Sequence, residues 1–169
     1  MRMIRWIAPL PLFLLASCPP QPDGASVTAG VADLESAAIA RGLVRDPARI
    51  DPTGLYARDT DRLCIVPDGG GYRVGAFVDY GDGIACNGAG TARRSGGVLR
   101  ISLADGKCRF EARYDGDRIV FPARMPDGCA ALCERRASLA ALDVRRLGES
   151  VSEATAMRDS RGRLPCATH

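Results

Sequence analysis

Between Arg62 and Phe121, apolar residues return at every second position in one short segment after another. The clearest runs are Tyr72 to Tyr80, Leu99 to Leu103 and Cys108 to Tyr114, where most of the intervening residues are polar or small. Successive side chains of a strand point to opposite faces, so this period predicts half-buried β-strands. The middle of the chain must therefore fold as a sheet with one apolar face.

Turn residues separate these runs at short intervals. The pairs Asp105-Gly106 and Asp115-Gly116 are typical of two-residue hairpins, because Asp and Gly adopt the positive φ that such turns require. Glycine-rich triplets mark the other junctions, at residues 69–71, 81–83 and 95–97. The pattern predicts an antiparallel meander of about six strands from Arg62 to Phe121.

Two further segments, Gly54 to Ala57 and Ser138 to Leu147, are also β-like and raise the number of strands to as many as eight. Closure into a small barrel would remove exposed sheet edges, and two stacked sheets are the alternative. The fold class is mainly β, with two short helices and a helical turn at Cys129 to Arg136. One amphipathic helix is expected from Gly30 to Arg41, capped by Gly42, and the other from the capping box Ser150-x-x-Glu153 to about Arg158.

The N-terminus has the layout of an export signal. Arg2 and Arg5 precede an apolar run from Trp6 to Ala16, which is too short for a bilayer core that requires about 20 helical residues. The run ends in Leu15-Ala16-Ser17-Cys18, which resembles the lipobox of bacterial lipoproteins. The order is an aliphatic residue, two small residues and the invariant cysteine.

That resemblance implies cleavage before Cys18 and acylation of its sulfur and new amino group with palmitate-type chains, which would make membrane attachment stable. The residue after the lipidated cysteine is Pro19, and the best-known rule for retention in the inner membrane requires aspartate there. The resemblance therefore favours the outer membrane. The expected organisation is a signal peptide over residues 1–17, a lipidated flexible tether over 18–30 and one β-rich domain over 31–169.

Charge gives no reason to expect a nucleic-acid partner. The chain has 23 basic and 20 acidic residues, and loss of Arg2 and Arg5 with the signal leaves 21 against 20. Three adjacent arginine pairs could contact an anionic lipid or glycan. Neighbours on a strand point to opposite faces, however, so solvated positions are the simpler interpretation. These pairs are Arg93-Arg94, Arg135-Arg136 and Arg145-Arg146.

Six cysteines remain after Cys18 is assigned to lipid, and an even number in an exported chain indicates disulfides. Nearest-neighbour pairing is the preferred connectivity among 15 possible ones: Cys64 with Cys86, Cys108 with Cys129, and Cys133 with Cys166. Cys129 and Cys133 also allow a metal-handling hypothesis. No histidine lies near them, and the redox motif has a shorter spacing, so structural disulfides are favoured over a metal site.

The inventory of catalytic residues is poor, and the chain is expected to be non-enzymatic and without a cofactor. Its only histidine is the terminal His169, and it has no phosphate-binding loop or dinucleotide fingerprint. Asp79, Asp82 and Glu111 are candidates for a glycosidase carboxylate pair. Asp82 is better explained by a turn, and Asp79 and Glu111 by the solvent-facing side of their strands.

A binding or accessory domain at the envelope, with a possible envelope protein partner, is therefore the expected function. In architecture the chain is similar to lipoprotein lysozyme inhibitors, which are small disulfide-containing barrels on a lipid tether, but it lacks a copy of their inhibitory loop motif. Inhibition of a lysozyme-like or protease hydrolase is the alternative. Glycan binding has little support, because the only tryptophan, Trp6, leaves with the signal and the tyrosines suit a core.

Overall fold

The computed structural model describes residues 28–167. The predicted signal peptide, the lipobox with Cys18, most of the tether and the terminal His169 lie outside these residues. A helix, α1, begins at Thr28 within the expected tether and ends at Ala40. Gly42 follows with a φ of +68°, and the Leu43 amide donates to the Ala38 carbonyl, as expected for a C-terminal cap.

Eight antiparallel strands form a closed barrel in sequence order, so the barrel is confirmed over the stacked sheets. Each strand pairs with the next, and the last pairs with the first. The strands are β1 Gly54–Arg58, β2 Asp61–Asp68, β3 Gly71–Asp79, β4 Ala85–Ser95, β5 Val98–Leu103, β6 Cys108–Tyr114, β7 Arg118–Val120 and β8 Asp143–Gly148.

The predicted period-two pattern fills the barrel with side chains. Every second residue of β6 is buried, and Phe110 meets Phe121 edge-on with ring centroids 4.6 Å apart. The same parity buries Val74, Ala76 and Val78 of β3, but Tyr80, which was expected in the core, follows the end of the strand and is 63% exposed. Further large side chains of this core are Tyr56, Leu63, Ile65, Leu99, Ile101, Leu103, Ile119, Leu139 and Val144.

Five further local predictions require correction. The turn between β5 and β6 has four residues, 104–107, instead of the two residues Asp105 and Gly106, since Leu103 pairs with Cys108. The turn after β6 is centred on Gly116 and Asp117, one residue later than expected, because the Asp115 amide already pairs with the Arg118 carbonyl. β8 begins at Asp143 instead of Ser138, since a turn with positive φ at Ala141 precedes it.

The other two corrections concern the helices. In α1, Leu34 is 74% exposed, so the expected amphipathic helix does not bury this residue. The second helix, α2, spans Val151–Ala156 and stops before Arg158, because Met157 adopts an extended conformation with ψ of 127°. Its predicted cap is present: Ser150 Oγ accepts from the Glu153 amide. The expected turn near Cys129 is a 3-10 helix over Asp127–Leu132.

Three segments without β-structure cover the barrel. Residues 47–53 cross the end where β1 begins. The connection from β7 to β8 covers the other end, and Phe121, Leu139 and Leu142 from it join the core. Outside β1 and β2, α2 and the C-terminal tail pack through Ala154, Met157 and Cys166 in a second small cluster.

Disulfides fix two of these covers. Cys108–Cys129 and Cys86–Cys133 attach the β7–β8 connection, and Cys64–Cys166 attaches the tail. Only Cys108–Cys129 agrees with nearest-neighbour pairing. Cys64 and Cys86 are on strands separated by β3, about 10 Å apart, and Cys64 lies in the outer cluster while Cys86 lies in the core, so they cannot bond.

Removal of single disulfides is expected to destabilise the fold according to the loop that each closes. The Cys108→Ser/Cys129→Ser variant opens a loop of 21 residues, and the Cys64→Ser/Cys166→Ser variant one of 102. Loss of stability in urea should be about 3 kcal/mol for the first and about 4 to 5 kcal/mol for the second. A non-reducing peptide map that joined Cys64 to Cys86 would contradict the pairing.

Candidate functional site

The barrel end under residues 47–53 is organised by a buried arginine on β8. The side chain of Arg146 is 9% exposed, and its guanidinium lies 5.1 Å from the centre of the Tyr56 ring. It donates hydrogen bonds of 2.7 to 2.9 Å to four oxygens: the carbonyls of Thr53, Asp51 and Gly116 and the hydroxyl of Tyr114. One side chain thus joins the segment before β1 to the β6–β7 turn.

A second arginine, Arg94 at the end of β4, holds the same segment. It donates to the carbonyls of Ile50 and Pro47, and its guanidinium lies 5.0 Å from the centre of the Tyr114 ring. From β3, the Tyr72 hydroxyl donates to Asp51 Oδ2 at 2.7 Å. We call Asp51, Tyr72, Arg94, Tyr114 and Arg146 the entry clamp.

The electrostatics of the entry clamp suit fixation of the chain. Burial, followed by the hydrogen bond to Asp51, raises the pKa of Tyr72 to about 12, and burial raises the pKa of Tyr114 as well, so both phenols stay protonated. Burial opposes ionisation of Asp51, but hydrogen bonds from Thr53 and Tyr72 and the charge of Arg94 outweigh it and lower the pKa of that carboxyl. The clamp therefore consists of neutral donors and paired ions.

A surface concavity of about 480 Å³ lies beside the clamp. Its walls carry three arginines and three carboxylates, so no sign of charge dominates. The charged residues are Arg45, Arg49, Arg146, Asp46, Asp51 and Glu149.

The carboxylates singled out in the sequence do not form a pair. Asp79 is on β3 and Glu111 on β6, with β4 and β5 between them, a separation of about 14 Å at ordinary strand spacing. Glycosidase carboxylates lie within about 10 Å of each other. Asp82 is in the β3–β4 turn with a φ of +53°, and Glu111 forms an ion pair with Arg100. Asp79 Oδ1 accepts a hydrogen bond from the Gly81 amide at 2.8 Å, so each of the three has a local structural role.

Cys129 and Cys133 likewise do not form a metal site. Each sulfur is bonded to a different strand, Cys129 to β6 and Cys133 to β4. Among residues 28–167 no cluster of three or more metal-ligating side chains is present. The metal-handling hypothesis therefore loses the two thiolates on which it depended.

The outward face of β4, β5 and β6 carries a different arrangement, in three cross-strand rows. The register places Arg93 opposite Arg100 and Arg100 opposite Glu111 in the central row. The flanking rows are Thr91, Ser102 and Arg109 on one side and Ser95, Val98 and Arg113 on the other. A concavity of about 500 Å³ opens over the first two rows. We call these nine residues the basic wall.

On β4 and β8 the two members of an adjacent arginine pair point to opposite faces of the barrel wall, as predicted, but the interpretation of both members as solvated is wrong for Arg94 and Arg146. Arg93 faces outward and Arg94 belongs to the entry clamp; Arg145 is 69% exposed and Arg146 is buried. Arg135 and Arg136 are both exposed, on a turn. The basic wall was not predicted from the sequence, because its arginines meet between strands and not as adjacent residues of one strand. Part of the signal was present, since Arg100, Arg109 and Arg113 occupy polar positions of the alternating runs.

Comparisons with known protein families, with curated proteins and with solved structures gave no match.

Substitution of the clamp arginine is expected to be costly, and its neighbour on β8 provides a matched control. Arg146→Ala should lower the free energy of unfolding by about 3 kcal/mol, because it removes four hydrogen bonds from one charged donor that join the segment before β1 to the β6–β7 turn. Arg145→Ala, at an exposed position, should change it by less than about 0.5 kcal/mol. Chemical denaturation measures both, and equal losses would contradict the assignment of Arg146 to the clamp.

The lowered pKa of Asp51 makes part of the stability depend on pH. An ionised Asp51 stabilises the folded chain above the unfolded pKa of about 3.9, and this contribution disappears as pH falls through the lower folded pKa. Asp51→Asn should therefore lower the Tm at pH 7, and the difference from the parent should narrow towards pH 3. Asp105→Asn, at an exposed turn, is the control, and a constant difference for Asp51→Asn would refute the ionic role.

Proposed function

We propose that the chain is a lipoprotein of the bacterial envelope, anchored by acylated Cys18, whose barrel is a non-enzymatic binding or accessory module. One observation carries this proposal. Six of the seven cysteines form three disulfides, the bonds of an oxidising compartment. The seventh is Cys18, at the position that the lipobox resemblance assigns to lipid.

The construction of the barrel favours binding on its outer surface. Side chains fill its interior, and residues 47–53 and the β7–β8 connection cover its two ends. The clamp arginines hold backbone carbonyls, and the candidate carboxylates lie on separate strands. Contact with an envelope partner would therefore involve the barrel wall or the surface of its covers.

Within residues 28–167, none of the helices has both the length and the apolar character needed to span a bilayer.

Substitution of the lipidated residue tests this proposal. Cys18→Ser should abolish incorporation of labelled palmitate and leave the chain uncleaved or released from membranes, because the acceptor sulfur is missing. The three disulfides should form as in the parent, since Cys18 takes part in none of them.

Carbonate extraction and non-reducing mass spectrometry measure these outcomes. Cys18→Ser protein that is cut at the same bond and still floats with membranes would refute the lipoprotein assignment. Among the remaining possibilities, a stoichiometric partner recovered from solubilised envelopes would favour an accessory module, and stoichiometric loss of lysozyme or protease activity on titration would favour an inhibitor.

A further inference from the structure

We propose that the basic wall docks the barrel, side-on, onto the anionic phosphate headgroups of the membrane that holds the acyl chains. This inference rests on the proposed function. It adds an orientation and a second membrane contact to the lipid anchor.

Charge is concentrated on this face. Arg93, Arg100, Arg109 and Arg113 against Glu111 give the wall a net charge of +3, whereas the chain from Cys18 onward carries 21 basic and 20 acidic residues. The nine positions span about 10 Å across the strands and about 14 Å along them. Cations spread over this area match several headgroups of a surface better than one compact anion.

Three of the four arginines of the wall lack protein counter-ions. Arg93, Arg109 and Arg113 have no hydrogen-bond or ion-pair partner in the part of the chain that the structure describes. Arg100 pairs with Glu111 at 3.1 Å, but Arg93 lies directly opposite it, and like charges at facing positions destabilise a sheet. External anions would relieve this repulsion.

Arginines on the other strands have acidic or hydrogen-bonding partners within the chain. Arg118 donates two hydrogen bonds to Asp143, Arg73 pairs with Asp68, and Arg58 also reaches Asp143. Unpaired strand arginines are thus a property of the basic wall.

The basic wall is not covered by α2, and its side chains can bind phosphate. α2 packs on β1 and β2, on the opposite side of the barrel from β5. The tail contacts β2, β3 and the start of β4, where Asn87 pairs with Ser160 four residues before the first wall residue of that strand. The hydroxyls of Thr91 and Ser102 share a row with Arg109 and offer further hydrogen bonds. Guanidinium groups bind phosphate oxygens in a bidentate manner, which makes arginine well suited to this ligand.

The path of the chain favours the membrane over a soluble polyanion. The segment that leads from the N-terminal side into β1 contacts the barrel beside the wall, through Pro47 and Ile50 on Arg94 and Tyr114. An acyl anchor at Cys18 would keep the barrel close to the bilayer, where the wall can reach the headgroups. Tethering raises the effective concentration of headgroups and allows weak ionic contacts to be occupied.

Depth-dependent fluorescence quenching tests the orientation. The chain without its signal contains no tryptophan, because Trp6 is the only one. Ser95→Trp places a probe on the wall, and Val151→Trp places a control on α2, at a position that is 44% exposed. The lipoprotein, purified from membranes, is reconstituted into vesicles of brominated phosphatidylcholine, with or without phosphatidylglycerol as a third of the lipid.

Quenching of the wall probe should be at least about threefold stronger in the anionic vesicles and should decline at high salt, because screening weakens exposed ionic contacts. The α2 probe should respond to neither. Arg93→Gln, Arg109→Gln and Arg113→Gln together should abolish the difference. The matched control, Arg124→Gln with Arg135→Gln and Arg136→Gln, removes the same charge from exposed positions outside the wall and should retain it.

The measurements distinguish failure of the docking inference from failure of the proposed lipid anchor. A chain that floats with both kinds of vesicle but shows equal quenching of the two probes, or equal quenching in both lipids, overturns the docking inference and leaves the anchor intact. Loss of quenching in inorganic phosphate, but not in chloride of equal ionic strength, would assign the wall to a compact anion and also overturn it. Absence of acyl chains in the mass spectrum would contradict the proposed function. The docking inference would then be tested by adding vesicles to the soluble chain, and equal quenching of the Ser95→Trp probe by anionic and neutral vesicles would overturn it.

Discussion

Closure between β8 and β1 is the constraint on which the rest of the structure depends, because it converts an open meander into a barrel with a sealed interior. The seam requires close backbone contact. A Cβ at Gly54 would lie 2.2 Å from the Gly148 carbonyl oxygen, and Gly54 has a φ of +146° that other residues rarely adopt. Arg146 lies on the same seam and connects it to the segment that enters β1. Closure of the barrel and coverage of one of its ends therefore depend on the same residue.

The alternating residues predicted much of this fold from local geometry alone. Val74, Leu99 and Phe110 are buried because strand parity does not depend on how distant segments meet. The pairing of the cysteines, in contrast, depends on contacts between segments that are distant in sequence. Cys86 bonds to Cys133 only because the β7–β8 connection folds back over the barrel end, and no local pattern encodes that path. The role of Arg146 escaped prediction for the same reason, since its carbonyl partners belong to other segments.

The basic wall was predictable in part: the facing of most of its arginines follows from strand parity, but their proximity does not. Arg100, Arg109 and Arg113 could be assigned to the outward face from sequence, but their clustering with Arg93 depends on register. A two-residue turn at Gly96 and Gly97 pairs Ser95 with Val98 and so brings Arg93 opposite Arg100. Turn length is thus the step that converts a scattered set of arginines into one charged surface. α2 packs on β1 and β2, on the side opposite β5, and leaves the charged face of β4, β5 and β6 uncovered.

The Cys64–Cys166 bond has a consequence for biosynthesis. In a chain secreted from its N-terminus, as proposed here, Cys64 emerges 102 residues before its partner, and Cys86 follows it after only 22. The first thiol partner that Cys64 meets is thus one that the native barrel places on the other side of its wall. Oxidation that keeps pace with translocation would trap this pair. Maturation should therefore depend on delayed oxidation or on a thiol–disulfide isomerase, with tail attachment as its last covalent step.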